Sequence, residues 1–226
     1  MRMVALDVHK RFAEVAVHED GGARRLGRIE TGQLGLFAQS LGPGDHVVVG
    51  STAMTWAIRD LLAEHAGRVT VSNPMRTRAI ASAKVKTDKI DAKVLAELGA
   101  ADFLPEVWAP DEATRALRRR IAHRSGLVRQ RTRLRNQIHA VLARNLIEAP
   151  FTDVFGQGGR RWLADVQLPA HEREQVDSNL RLHDALDVEI ERVESRLADQ
   201  ALARADVGHL ITIPGSARSP RWRWWP

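Results

Sequence analysis

The first eighteen residues constrain the fold more than any other stretch. Residues 3–8 (MVALDV) and 12–18 (FAEVAVH) are two apolar runs separated only by His9-Lys10-Arg11. Short apolar runs joined by so brief a polar link read as neighbouring antiparallel strands. One residue interrupts the first of them: Asp7 stands between Leu6 and Val8. A carboxylate within a core strand costs on the order of several kcal/mol unless it is paired or binds a cation. The plainer alternative places Asp7 at the strand end, facing water.

A third strand over 24–30 follows the turn signal Asp20-Gly21-Gly22 and makes an antiparallel meander. A short helix at Leu34–Phe37 and the break Gly42-Pro43-Gly44 come next. Strand 46–50, helix 54–65 ending at Gly67, strand 68–72 ending at Asn73-Pro74, and helices 75–82 and 88–99 complete the pattern. Strands joined by crossover helices pair in parallel, so the expected sheet is mixed. That is the strand order of the ribonuclease H type of α/β fold. Other α/β folds share the alternation, so the site residues must decide.

Beyond residue 104 the character changes. Pro105 and Pro110 form a linker, and Asp111 is the expected N-cap of a long helix reaching about Leu146. Pro150 and the GQGG of 156–159 read as a loop, without the Lys-Ser/Thr that would make it a phosphate-binding motif. A second long helix is expected over 171–204, with Leu182, Leu186, Ile190, Val193, Leu197 and Ala201 at helical packing spacing. The two helices are expected to pair antiparallel, or to form an assembly arm, with Leu117, Ile121, Leu134, Ile138 and Val141 facing that stripe. Three regions result: an α/β domain over 1–104, a helical coiled-coil region over 105–206, and a final segment over 207–226.

The absence of cysteine removes disulfides, iron–sulfur clusters, thiolate zinc sites and cysteine nucleophiles. No apolar run is long enough to cross a membrane, and Asp7 interrupts any secretory signal, so the expected compartment is the cytoplasm. The formal net charge of +6 favours a polyanionic partner. Of 34 basic residues only five are lysine, and Lys84, Lys86, Lys89 and Lys93 fall in one ten-residue stretch. That stretch also holds Asp88 and Asp91, three apart and therefore on one helix face. Like charges so placed repel, and a cation between them is a natural compensation, with the lysines suited to holding phosphate. The alternative is an ordinary solvated helix start. The isolated histidines His9, His18, His65, His123 and His139 lack metal-ligand spacing and read as surface or packing residues.

These residues carry a resemblance. Ala5-Leu6-Asp7-Val8-His9-Lys10, Ser72-Asn73-Pro74 and Lys86-Thr87-Asp88-Lys89-Ile90-Asp91-Ala92 resemble segments of a bacterial insertion-sequence transposase of the DEDD type. Phe103-Leu104-Pro105, Arg129-Gln130-Arg131-Thr132-Arg133-Leu134-Arg135-Asn136 and Ile213-Pro214-Gly215 extend it to the IS-one-ten family, with its RuvC-like domain. The resemblance implies that Asp7, Asp88 and Asp91 are catalytic and hold Mg²⁺. It also implies DNA as substrate, a guide RNA, strand cleavage with rejoining, and self-association through the helical region. Family members continue into a C-terminal domain bearing a catalytic serine.

Two departures stand out. Where the family has Glu-Ala/Ser-Thr-Gly after the fourth strand, this chain reads Gly50-Ser51-Thr52-Ala53, so the second acid is lost. After Gly215 the chain closes on a segment with three of its six tryptophans in the last five residues. The expected reading is a truncated, inactive copy with an out-of-frame tail; the alternative is a Trp/Arg tail that stacks on RNA. No serine here can be given the family's nucleophile role.

Residues 111–146 hold ten arginines against two acids, and 171–206 hold ten acids against five arginines. Flanking salt bridges between the two helices are one reading. The other is a nucleic-acid surface made of Arg118, Arg119, Arg120, Arg124, Arg129, Arg131, Arg133 and Arg135, beside Lys84, Lys86 and Lys89. Both can hold at once. A non-catalytic nucleic-acid-binding remnant acting through this helix is the rival to an active transposase.

Overall fold

The computed structural model describes residues 2–19, 21–80 and 88–202, apart from the side chains of 78–80, 88–90 and 202. Lys84, Lys86, the side chains of Asp88 and Lys89, Ile213-Pro214-Gly215 and the tryptophan-rich end lie outside the described residues. The chain divides into two compact units, Met1–Ala109 and Pro110–Pro226.

The first unit contains strands β1 (Arg2–Val8), β2 (Phe12–Glu19), β3 (Gly22–Glu30), β4 (Asp45–Gly50) and β5 (Arg68–Ser72). Its described helices are α1 (Leu34–Gln39), α2 (Thr55–Ala63), α3 (Pro74–Ile80) and α4 (Asp88–Ala100). The sheet order is β3-β2-β1-β4-β5. The meander β1–β2–β3 is antiparallel, while β4 and β5 add in parallel. This is the mixed α/β sheet expected from the crossover helices.

Side chains alternate across each strand, and the two faces of β1 are buried by different partners. Val4, Leu6 and Val8 join Val15, Val17, Val47 and Val49 on the face covered by Leu34, Ala38, Ile58 and Leu62 of α1 and α2. Met3, Ala5, Ala16 and Val48 meet Ala92, Leu95 and Ala96 of α4 on the other. Small side chains on both sides let that helix lie close. Each fully buried valine or leucine contributes about 1.5–3 kcal/mol, so this double cover is the main reason β1 is central.

The second unit contains α5 (Glu112–Arg144), α6 (Gln157–Asp165) and α7 (Ala170–Leu202). Asp111 caps α5 by accepting a hydrogen bond from the Thr114 N–H at 2.7 Å. Contacts between Arg124 and Glu194, Arg131 and Asp187, and Arg144 and Glu172 run in opposite sequence directions, so α5 and α7 are antiparallel. Ile138, Val141 and Leu142 pack with Val154, Leu163 and Val176.

One expectation fails here and another holds only in part. The glycine-rich segment is no simple loop: Gly156 is the N-cap of α6, whose Leu163 is fully buried. The packing stripes expected between α5 and α7 hold only in part: Ile138, Val141 and Ile190 are buried, but Leu182 is 53% exposed and Ile121 of α5 is 48% exposed. The buried positions of α7 include Glu172, Val176, Asn179, His183 and Ile190. Arginines of α5 point into this seam, and they need acceptors more than they need leucines.

Candidate functional site

Asp7 occupies the last turn of the β1 ladder. Leu6 is paired with Val49 in parallel register, which brings Asp7 and Gly50 side by side where both strands end. A Cβ built on Gly50 stands 3.6 Å from Asp7 Oδ1, 3.8 Å from the Leu6 carbonyl oxygen and 3.9 Å from Leu95 Cδ1. All three are ordinary van der Waals distances. The position where the resemblance places an acid therefore adjoins the Asp7 carboxylate and has room for a Cβ.

Leu95 also fixes the direction in which α4 runs. It lies against Gly50, whereas Gly99, one turn later, lies against Met3 and Val48 near the start of β1. Helix α4 thus runs antiparallel to β1, and its first turn, with Asp88 and Asp91, lies toward the strand ends where Asp7 and Gly50 sit. Asp91 is half-buried and stands one helical turn before Leu95. The Asp88 side chain is outside the described residues. Lys93 approaches Glu97 at 4.0 Å.

Two residues outside the expected site join this corner, one of them His9, which was expected to be a surface or packing residue. His9 Nε2 stands 3.0 Å from Asp7 Oδ2, and the ring stacks on Phe12 with centroids 4.7 Å apart. The Arg28 guanidinium lies 3.7 Å from the Phe12 centroid. Glu14, paired across the strands with Asp7, has no exposed surface. Burial opposes its charge, but hydrogen bonds from Arg25 at 2.8 Å and Arg28 at 2.9 Å prevail and hold the carboxyl below its ordinary range. Glu14 is therefore a neutralised structural carboxylate and no substitute for the acid missing at Gly50. The readable signal for His9 was its spacing of two from Asp7, which puts both side chains on one face of an extended chain.

In the second unit, the arginines of α5 fall into two groups. Arg124 and Arg131 turn to Glu194 and Asp187, and Arg135 Nε donates to His183 Nε2 at 2.9 Å. Arg118, Arg119, Arg120, Arg129 and Arg133 are exposed, with Arg119 reaching Glu112 at 2.6 Å. His183, Asp184 and Asp187 have the chemistry of metal ligands and lie close together. Arg131, Arg135 and Arg160 already bond them, so three guanidinium charges occupy the place a cation would take.

A mixed five-stranded sheet in this order, flanked by helices on both faces, agrees with a ribonuclease H-like domain. The chain's family is narrower. Residues 4–146 match the model of the IS-one-ten family of DEDD transposases, described as a transposase, and the chain belongs to that family. The match runs from β1 to just past the end of α5. No curated protein matches the chain. Family membership implies a DNA partner and a divalent metal. No described helix is long and apolar enough to cross a membrane.

Proposed function

We propose that this insertion-sequence transposase holds a divalent cation through Asp7, Asp88 and Asp91 and binds DNA through α5, but does not cut strands. The carrying observation is the corner at Gly50: the backbone position beside Asp7 Oδ1 and Leu95 would accept a Cβ at ordinary contact distances and bears none. Carboxylate oxygens are the donors that suit Mg²⁺, so the residues present fit the metal of the family. When bound, such ions activate the attacking oxygen and stabilise the leaving one in phosphodiester chemistry. With one carboxylate fewer, the donor set positions two ions poorly.

On this reading Asp7 is the fixed ligand, anchored at the end of a doubly buried strand. Asp88 and Asp91 complete the set from the start of α4. The exposed Arg118, Arg120, Arg129 and Arg133, together with Lys84, Lys86 and Lys89, track phosphates. Arg124, Arg131 and Arg135 hold α7 and so are withdrawn from the nucleic-acid surface. A guide RNA and self-association through the α5–α7 pair belong to the same reading.

The test pairs fluorescence anisotropy on labelled duplex and branched DNA, across a salt series, with a Mg²⁺-dependent nicking gel. The unmodified chain is expected to bind with steep salt dependence and to leave the DNA intact. Gly50→Glu is expected to tighten Mg²⁺ binding. Salt-independent binding would overturn the DNA surface. Robust nicking by the unmodified chain, lost in Asp88→Ala, would overturn the silence.

A further inference from the structure

We propose that His9 is a direct ligand of the cation at Asp7, giving a mixed imidazole–carboxylate site that prefers Mn²⁺ or Co²⁺ to Mg²⁺. The inference rests on the reading of Asp7, Asp88 and Asp91 as a cation site and adds a fourth donor to it.

The geometry carries the argument. His9 Nε2 and Asp7 Oδ2 are 3.0 Å apart. That is a hydrogen-bond distance, and it is also the separation of two adjacent ligands each about 2.1 Å from one octahedral ion. A cation entering the corner replaces the shared proton without moving either side chain far. The imidazole is held in place, because its ring stacks on Phe12, whose own ring lies under the Arg28 guanidinium. The backbone agrees with this arrangement: the His9 N–H donates to the Phe12 carbonyl at 2.8 Å, which closes the β1–β2 turn around the two side chains. Arg28 is in turn fixed by Glu14. The ring that would supply the nitrogen is thus braced through three side chains of β2 and β3.

The loss at position 50 gives the change of donor its consequence. A site with four carboxylates presents four negative charges, which suits a small hard ion such as Mg²⁺. Here Gly50 removes one charge, and a neutral nitrogen stands on the opposite side of Asp7 from the Gly50 position, as Oδ1 faces Gly50 and Oδ2 faces His9. Three carboxylates and an imidazole bind more weakly to Mg²⁺ and more strongly to ions that accept nitrogen, in the order of rising affinity from Mn²⁺ to Co²⁺.

The experiment uses the full chain and reads metal binding, independent of cleavage. Titration calorimetry with Mg²⁺, Mn²⁺ and Co²⁺ is combined with pulsed electron paramagnetic resonance on the Mn²⁺-loaded protein. His9→Phe keeps a ring on Phe12 but removes the nitrogen; His9→Ala and Asp7→Asn are run beside it, with melting curves to confirm folding. The unmodified chain is expected to bind Co²⁺ and Mn²⁺ at least about tenfold more tightly than Mg²⁺, with ¹⁴N modulation in the Mn²⁺ signal. His9→Phe is expected to abolish that modulation and to weaken Co²⁺ by about 10–100-fold, leaving Mg²⁺ within about threefold. Binding lost in Asp7→Asn but unchanged in both His9 variants, with no ¹⁴N modulation, overturns His9 as a ligand and leaves the carboxylate site standing. Binding of none of the three ions, or binding unchanged in Asp7→Asn, overturns the carboxylate site and the proposal with it.

Discussion

A carboxylate with no exposed surface keeps its charge only if its partners offset its lost hydration, and for Glu14 those partners are Arg25 and Arg28. Both guanidinia reach water, being 40% and 47% exposed, so the effect of breaking the group is below that of a fully buried pair. Glu14→Gln is expected to destabilise the chain by about 2 kcal/mol, read as a lower urea midpoint at unchanged slope. Gly50 should behave oppositely. A Cβ there meets only ordinary contacts, and a glycine in a strand loses more backbone entropy on folding than an alanine does. Gly50→Ala is expected to stabilise by about 0.5–1 kcal/mol; a loss of that size would show that the corner is tighter than its distances say. Asp7 and Gly50 were legible in the sequence because one breaks an apolar run and the other breaks a motif. Glu14 was not, because its role comes from Arg25 and Arg28 across the strands, which no local pattern records. His9 was legible only in its spacing of two from Asp7, while the stack on Phe12 that holds its ring depends on the turn between β1 and β2.

At the scale of elements, the seam between α5 and α7 shows why apolar spacing misled. Leucines at Leu182 and Leu186 had the right period, yet His183 is buried while Leu182 is half-exposed. Guanidinium groups of α5 enter the seam, and polar partners on α7 must follow them inward. The same polar requirement separates the arginines by task. Arg129 and Arg133 stand exposed one turn apart, on the side of α5 away from Arg124 and Arg131. Replacing Arg129 and Arg133 by alanine is expected to reduce the magnitude of the salt slope for duplex binding by about 2, with little change in melting temperature. Replacing Arg124 and Arg131 should do the reverse, lowering stability by up to about 1 kcal/mol per pair and leaving the slope intact. Equal slopes in both double variants would mean that DNA does not contact the outer face. Helix α6 was hidden for another reason: its start is glycine-rich, and its stability comes from Leu163 and Trp162 packing on the core around Ile138, which local propensity does not see.

For the whole molecule, strand order was readable because each turn signal and crossover helix allows few ways to pair. Its response to acid was not readable, since it depends on which ionisable groups are buried. In the first unit His46 is buried beside Thr70, with Nε2 and Oγ1 2.9 Å apart, and burial lowers its pKa from 6.5. In the second, His183 is 2% exposed, and burial likewise outweighs Asp187 and Asp184 to lower its pKa from 6.5. Each favours the folded state while neutral, because protonation is easier in the unfolded chain. Their contribution is full above pH 6.5 and falls as pH drops through their lowered values. The carboxylates act further down. Asp45 is held low by the Arg2 hydrogen bond, from 3.8, and Glu14 by Arg25 and Arg28 against its burial, from 4.5. Their contributions are present above those ordinary values and fade as pH falls through the lowered ones. Stability should therefore fall in two stages, the first starting near pH 6.5 and the second below about 4.5. Urea midpoints taken from about pH 8 to pH 4 measure this directly. The double variant His46→Gln with His183→Gln keeps an acceptor for Arg135 and a partner for Thr70, but cannot take up a proton. It is expected to hold a flat midpoint through the first stage and to keep the second. A first stage that survives in the double variant would assign the acid sensitivity to groups other than these two histidines.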